Sequence, residues 1–284
     1  MSEVTDKEYE KLYDKLQKLE KEISLVLDNS PTKKIGHHVI SQLTKEQHKI
    51  QMFSLDKTKN LDNIYNWAQE NNIQKLNVSI KADGLALELI YSKGYLTKAV
   101  TRGDGLIGEN VLHTAKTITN IPLYIEEFEE YDNIAIYGEA LIPLSIFEKL
   151  STHDKKYTEY KNPRNLASGS LRQLSANVCR ERHLIFLAYG MVPYAFHSFT
   201  QTLSWLQVIG FSVVDNFVIN TDINEIKQHA EKIQTWINTL NYAYDGIVFR
   251  DDNNAHANQL LREQETKSSN SKRKISPNQN HQIS

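Results

Sequence analysis

Two alternating runs, Leu85 to Tyr91 and Tyr95 to Thr101, meet at Ser92-Lys93-Gly94. Apolar residues at every second position belong on one face of a strand, and a glycine between two such runs supplies the freedom a tight reversal needs. The pair reads as a β-hairpin, which commits this part of the chain to an antiparallel sheet. A third alternating run, Leu76 to Ile80, is separated from the hairpin only by Lys81-Ala82-Asp83-Gly84. A lysine at a strand end, two residues before a carboxylate, is a candidate nucleophile, since an amine crowded by other cations gives up its proton more readily. The glycine would let the backbone bend close to a ligand. Alone, the tetrapeptide fits a surface lysine before a turn better than a nucleophile.

The flanking sequence mixes helices and strands irregularly. Tyr9, Leu12, Tyr13, Leu16, Leu19, Ile23 and Leu27 recur at helical spacing from Asp6 onward, and Asp28-Asn29-Ser30-Pro31 ends that helix. A polar loop with His37, His38 and His48 follows; no carboxylate or thiol stands at ligand spacing, so it reads as a solvated loop. A second helix spans Leu61 to Glu70, capped by Thr58 or Asn60. Gly108-Glu109-Asn110 is expected to open another. Strands are expected over Ile134 to Leu141, Leu184 to Tyr189, Phe211 to Ile219 and around Asp245 to Arg250, with helices near Thr200 to Val208 and Ile223 to Leu240. Hairpins in place of strict βαβ units favour an α+β fold built on antiparallel sheets.

Composition narrows the class. A chain of 284 residues with net charge −2 has room for a real core and no global basic field, so any nucleic-acid surface must be local. One cysteine, Cys179, excludes a disulfide framework and a cysteine-rich zinc site, and suits a reducing cytoplasm. No apolar run is long enough to span a bilayer and no signal-peptide pattern opens the chain, so a cytoplasmic protein without a membrane is expected.

Five blocks then stand in order: Lys81-Ala82-Asp83-Gly84; Thr101-Arg102-Gly103-Asp104-Gly105; Gly138-Glu139; Asn162-Pro163-Arg164-Asn165 with Gly169-Ser170-Leu171-Arg172-Gln173-Leu174; and Asp245-Gly246-Ile247-Val248. In that order the chain resembles the adenylation domain of bacterial-type NAD-dependent DNA ligases, from about Asp6 to Arg250. Asp6-Lys7-Glu8-Tyr9, Ser30-Pro31-Thr32 and Ser54-Leu55-Asp56 add upstream matches. The resemblance implies a nucleotidyltransferase fold of antiparallel sheets with flanking helices, preceded by a small helical module. It divides the chain into residues 1–58, a shortened amino-terminal module; 59–252, the adenylation domain; and 253–284, a remnant linker and tail.

The same resemblance implies a chemistry. Lys81 would attack the α-phosphate of NAD and hold AMP as a phosphoramidate, which then passes to the 5′-phosphate of nicked double-stranded DNA. Arg102 would neutralise charge at phosphorus, and Asp83 and Glu139 would grip ribose hydroxyls or orient the nucleophile. Asp6, Tyr9, Ser54, Leu55, Ser79 and Arg250 would complete the cofactor-binding set. Mg²⁺ would take Asp245 first and Glu139 second. Arg164 and Arg172 would face DNA phosphates.

Individually, each residue has an ordinary reading: Arg102 paired with Asp104 across a turn, Asp245-Gly246 as a plain turn, Arg164 and Arg172 on a solvated helix face. The chain also departs from the family. Ser79 stands where the family has a glutamate, and Arg250 where it has a lysine. From about Arg262 the sequence turns polar and is expected to be disordered. The first reading is therefore the adenylating subunit or short form of such a ligase, with a second polypeptide supplying OB-fold and zinc modules. The alternative is a degenerate relative that binds nucleotide or nucleic acid without efficient ligation.

Overall fold

The structure is a computed structural model, and it describes residues 6–23, 42–48, 50–52, 55–153, 157–193, 196–255 and 280–283. Two sheets dominate. The first contains β4 (Leu85–Ser92), β5 (Tyr95–Thr101), β7 (Ile134–Leu141) and β8 (Ile185–Val192), in the order β5-β4-β7-β8 with every neighbour antiparallel. The second contains β2 (Asp56–Thr58), β3 (Lys75–Ala82), β9 (Asn216–Asn220), β10 (Tyr244–Asp251) and β11 (Asn280–Ile283), in the order β2-β11-β10-β3-β9. A two-stranded piece pairs β1 (Lys45–Gln47) with β6 (Ile107–Glu109). Lys45–Gln47 and Asp56–Thr58, expected with the helical module, are thus knitted into the sheets.

The alternation that marks the hairpin also decides its packing. Leu87, Leu89 and Tyr91 of β4 are fully buried in one core with Ile136, Phe186 and Phe211. Each buried leucine contributes about 2 kcal/mol of hydrophobic stabilisation. Ala86 and Glu88 point to the other face, opposite Glu139 and Tyr137 of β7. A second core joins Leu76, Val78 and Ile80 of β3 to Ile64, Ile226 and Ile233, which lie on α2 (Leu61–Glu70) and α8 (Ile223–Trp236). Residues 212–215 tie the two sheets together: Val214 N donates to Ala188 O of β8 at 3.0 Å, and Ile80 N of β3 donates to Asp215 O at 3.1 Å.

The helical signals hold locally. α1 covers Asp6–Ile23, and Leu12, Leu19 and Ile23 of its stripe are exposed. Leu27, Asp28-Asn29-Ser30-Pro31, His37 and His38 lie outside the described residues. Asn60 caps α2 by accepting from Asp62 N at 2.9 Å, and Asn162 caps α5 (Pro163–Leu171) by accepting from Asn165 N at 2.8 Å. Between α2 and α5 lie α3 (Leu112–Ala115) and α4 (Leu144–His153), and after them come α6 (Ala176–Arg180) and α7 (Phe199–Val208). No helix among the described residues is long and apolar enough to cross a membrane.

Two expectations are corrected here. Gly108-Glu109-Asn110 does not open a helix, because Glu109 N is drawn to Thr101 Oγ1 at 3.0 Å and Gly108 pairs with Glu46 of β1. The helix starts at Leu112, whose N–H is taken by Asn110 Oδ1 at 3.1 Å. Within the polar tail, Asn280–Ile283 forms β11, antiparallel to β10 and parallel to β2. The free edge of β10 offers backbone hydrogen bonds to any extended segment, whatever its side chains. The rest of the tail lies outside the described residues.

Candidate active site

Lys81 is the penultimate residue of β3, where the chain leaves one sheet for the other through Asp83-Gly84. Across from it on β10 the pairing register slips between Tyr244 and Gly246. Such a bulge leaves one residue out of the ladder and re-aims its side chain. That residue is Asp245, and its Oδ2 receives a short hydrogen bond from Lys81 Nζ. Gly246 stands at φ 147°, which a side chain would strain, so the Asp-Gly pair makes the bulge that delivers the carboxylate.

A Cβ at Gly84 would meet Ala140 O at 2.3 Å, so the glycine lets the loop press against β7. That approach puts Gly84 N 3.2 Å from Glu139 Oε1. Burial pushes the Glu139 carboxyl up to about 7, opposed by the Gly84 N–H and the charges of Arg164 and Lys81, and aided by Asp83. Glu139 is therefore poised between its neutral and charged forms near neutrality. Asp83, held by a bond from its own N–H to Ala243 O at 2.8 Å, takes Arg164 Nη1 at 2.8 Å on Oδ1.

Arg102 follows β5 directly and donates its backbone N–H to Ala86 O at 3.1 Å. Ala86 pairs with Glu139 on its other side, so Arg102, Ala86 and Glu139 form a row across the sheet at the end nearest Lys81. Asp104 accepts from Leu106 N and Ile107 N at 2.9 and 2.8 Å, which shapes the turn after Arg102. Arg172 reaches Glu109 Oε2 at 2.5 Å and also bonds Ser168, so both arginines of the α5 block are paired in this state.

The remaining expected residues are spread more widely. Ser79 lies two positions before Lys81 on the same face of β3, buried between Val248 and Asn216. Arg250 is four positions beyond Gly246 on β10, and its guanidinium lies 3.9 Å from the centre of the Phe199 ring, turned to that aromatic face. Leu55 leads into β2, which β11 and β10 separate from β3. Ser54 lies outside the described residues, as do the side chains of Asp6 and Tyr9.

One group was misread. His48, taken above for part of a solvated loop, is buried, with Nδ1 2.5 Å from Glu88 Oε2 and Nε2 near the backbone oxygens of Thr101 and Arg102. A glutamate in the middle of an alternating strand was the one available signal, because a buried carboxylate needs a partner. Among the described residues, no three histidine, cysteine or acidic side chains are grouped to hold a metal ion. Cys179 is buried, which pushes its thiol up to about 11 and leaves it no rival nucleophile to Lys81.

Residues 40–265 match the family model described as NAD-dependent DNA ligase adenylation domain. A DNA ligase of Lachnoclostridium phytofermentans is 39% identical over 246 residues, covering 85% of this chain and 36% of that protein. A DNA ligase of Acinetobacter baumannii (strain AYE) is 35% identical over 272 residues, covering 90% of this chain and 40% of that protein. The chain thus spans about two-fifths of the length of the relatives it matches. Among solved structures, an archaeal ATP-dependent RNA ligase is similar with a TM-score of 0.46 at 18% identity, over 75% of this chain and 51% of that one. The chain belongs to the NAD-dependent DNA ligase adenylation domain family.

Proposed function

We propose that this chain is the adenylating part of an NAD-dependent DNA ligase, with Lys81 as the site of AMP attachment. The observation that carries the reading is the bulge on β10 that brings Asp245 to Lys81, with Glu139 and the Asp83–Arg164 pair around them. The deprotonated amine of Lys81 attacks the α-phosphorus of NAD; a P–N bond forms, the P–O bond to nicotinamide mononucleotide breaks, and that group leaves. An oxygen of the DNA 5′-phosphate then takes the AMP from Lys81, and the adjoining 3′-hydroxyl displaces AMP to seal the nick.

Arg102, in the row with Ala86 and Glu139, stabilises charge on phosphorus. Glu139, in its charged form, accepts from a ribose hydroxyl, and Asp83 orients the loop of the nucleophile through Arg164. The oxygen donors fit Mg²⁺, which is held by one or two carboxylates together with substrate phosphates, not by an all-protein cage. Asp245 and Glu139 would hold it, and it would supply positive charge to the phosphates. Ser79, Leu55 and Arg250, with Asp6, Tyr9 and Ser54, complete the proposed NAD surface. Arg164 and Arg172 exchange their carboxylate partners for DNA phosphates.

We assign residues 59–252 to the adenylation domain proper and the cytoplasm as the setting that supplies NAD. The test is incubation of the purified chain with Mg²⁺ and NAD labelled in its adenylate. A covalent, acid-labile label that Lys81→Ala abolishes is expected. No label, under conditions where a complete ligase is labelled, overturns the enzyme reading and leaves nucleotide binding.

A further inference from the structure

The turn carrying Arg102 is strapped from the amino-terminal side. His48 N donates to Leu106 O and Met52 N to Gly105 O, each at 2.9 Å, while β1 pairs with β6 just beyond the turn. Lys98 Nζ fastens the strap through Glu46 Oε2 at 2.7 Å. At the centre lies the His48 ring, 0% exposed, against Glu88 at 1%.

The partners of that ring fix its protons. Nε2 lies 3.1 Å from Thr101 O and 3.2 Å from Arg102 O, and a carbonyl oxygen can only accept, so Nε2 carries hydrogen. Nδ1 lies 2.5 Å from a carboxylate whose other oxygen already accepts from Tyr137 OH at 2.9 Å. Burial alone would lower the His48 pKa; the Glu88 hydrogen bond and charge, with the two backbone oxygens, outweigh it and raise it. Of the other titratable groups, Asp104 on the turn feels the His48 charge, and Tyr189 on β8 feels both Glu88 and Arg102.

We propose that His48 is a positioning residue for the adenylation site: fastened by Glu88 and donating from both ring nitrogens, it fixes the Thr101–Arg102 backbone and through it the Arg102 side chain. A ring with its single hydrogen on Nδ1 would turn a lone pair toward two carbonyl oxygens, and one with it on Nε2 would turn a lone pair toward the Glu88 carboxylate, so the clamp against a carboxylate takes the doubly protonated ring. Glu88 makes that state affordable in a site closed to water. The kinetic part of this inference rests on Arg102 facing the phosphates of NAD, as proposed above.

The test has two arms on the full chain. First, ¹⁵N resonances of the His48 ring are recorded at pH 8, where an exposed histidine is neutral. Both nitrogens are expected to be protonated, and His48→Phe is expected to shift the amides of Thr101 to Gly105 and the Nε–H of Arg102. A deprotonated ring nitrogen, or an unmoved Arg102, overturns the proposal.

Second, the maximum rate of Lys81 adenylation is measured for His48→Phe alone and in an Arg102→Ala background. A loss of about tenfold in the first and less than about twofold in the second is expected, since His48 acts through Arg102. Equal losses in both backgrounds show a merely structural residue and overturn the proposal. His48→Gln, which keeps one donor, recovers part of the rate and serves if the Phe variant does not fold. Absence of adenylation in the unaltered chain sinks the enzyme reading alone, because the resonance arm still decides the clamp.

Discussion

The pairs Lys81–Asp245 and His48–Glu88 are similarly close but lie in opposite surroundings. Lys81–Asp245 sits at a sheet end with its side chains 25% and 40% exposed, while His48–Glu88 is 0% and 1% exposed beneath the Arg102 turn. Water competes for the first pair and is excluded from the second, so the first can open at little cost and the second cannot. The difference suits their tasks. A nucleophile has to leave its partner to react, whereas a clamp has to stay closed.

The largest expected effect is on the buried pair. Glu88→Ala strands a buried imidazole and should cost about 3–5 kcal/mol, read from the urea midpoint. A cost below about 1 kcal/mol would show that the pair is as dispensable as a surface bridge. The pH sense follows from the raised His48 pKa. Its stabilisation is complete below the ordinary value of about 6.5 and is lost as pH rises through the folded value.

Next comes Gly84→Ala, which sets a methyl group against the Ala140 backbone oxygen. It should cost about 1–3 kcal/mol and weaken adenylation, because the Lys81 loop must back away from β7. Unchanged stability would mean that this approach is not tight in solution.

Smaller again is the effect of Glu139. Its carboxyl is raised to about 7, so the folded chain keeps a proton that the unfolded chain releases above about 4.5. Stability therefore falls as pH rises between those values. Glu139→Gln removes the fall and should gain about 1–2 kcal/mol at pH 8 relative to pH 4, measured by thermal melts. A pH-independent difference would show the carboxyl to be ordinary. The smallest change belongs to Asp245→Asn, within about 1 kcal/mol in stability. A loss as large as that of Glu88→Ala would erase the contrast between the two pairs.

What the sequence disclosed divides along the same line. The β4–β5 hairpin, the Asn60 and Asn162 caps and the strand-end position of Lys81 are written in residues close together, so period and cap chemistry reveal them. Lys81 meets Asp245, and Asp83 meets Arg164, although the members of each pair stand far apart in the sequence. His48 and Glu88 are 40 residues apart and meet only because β1 folds over the β5–β6 turn, which no local pattern encodes. The role of Gly84 was hidden for the same reason: the atom that demands a glycine belongs to Ala140, on another strand. Arg250 shares a face with Lys81 by register, yet its guanidinium goes to Phe199, a partner that only the packing of α7 supplies. The strand at Asn280–Ile283 has no side-chain signature, since an open edge recruits backbone.

The central claim is that Lys81 is the atom's-length partner of NAD in a site that opens. Peptide mass mapping after incubation of the chain with NAD and Mg²⁺ tests it most directly. The mass of one AMP is expected on the peptide containing Lys81, present in the unaltered chain and absent from Lys81→Ala. AMP on another residue, or an adduct that survives Lys81→Ala, would contradict it.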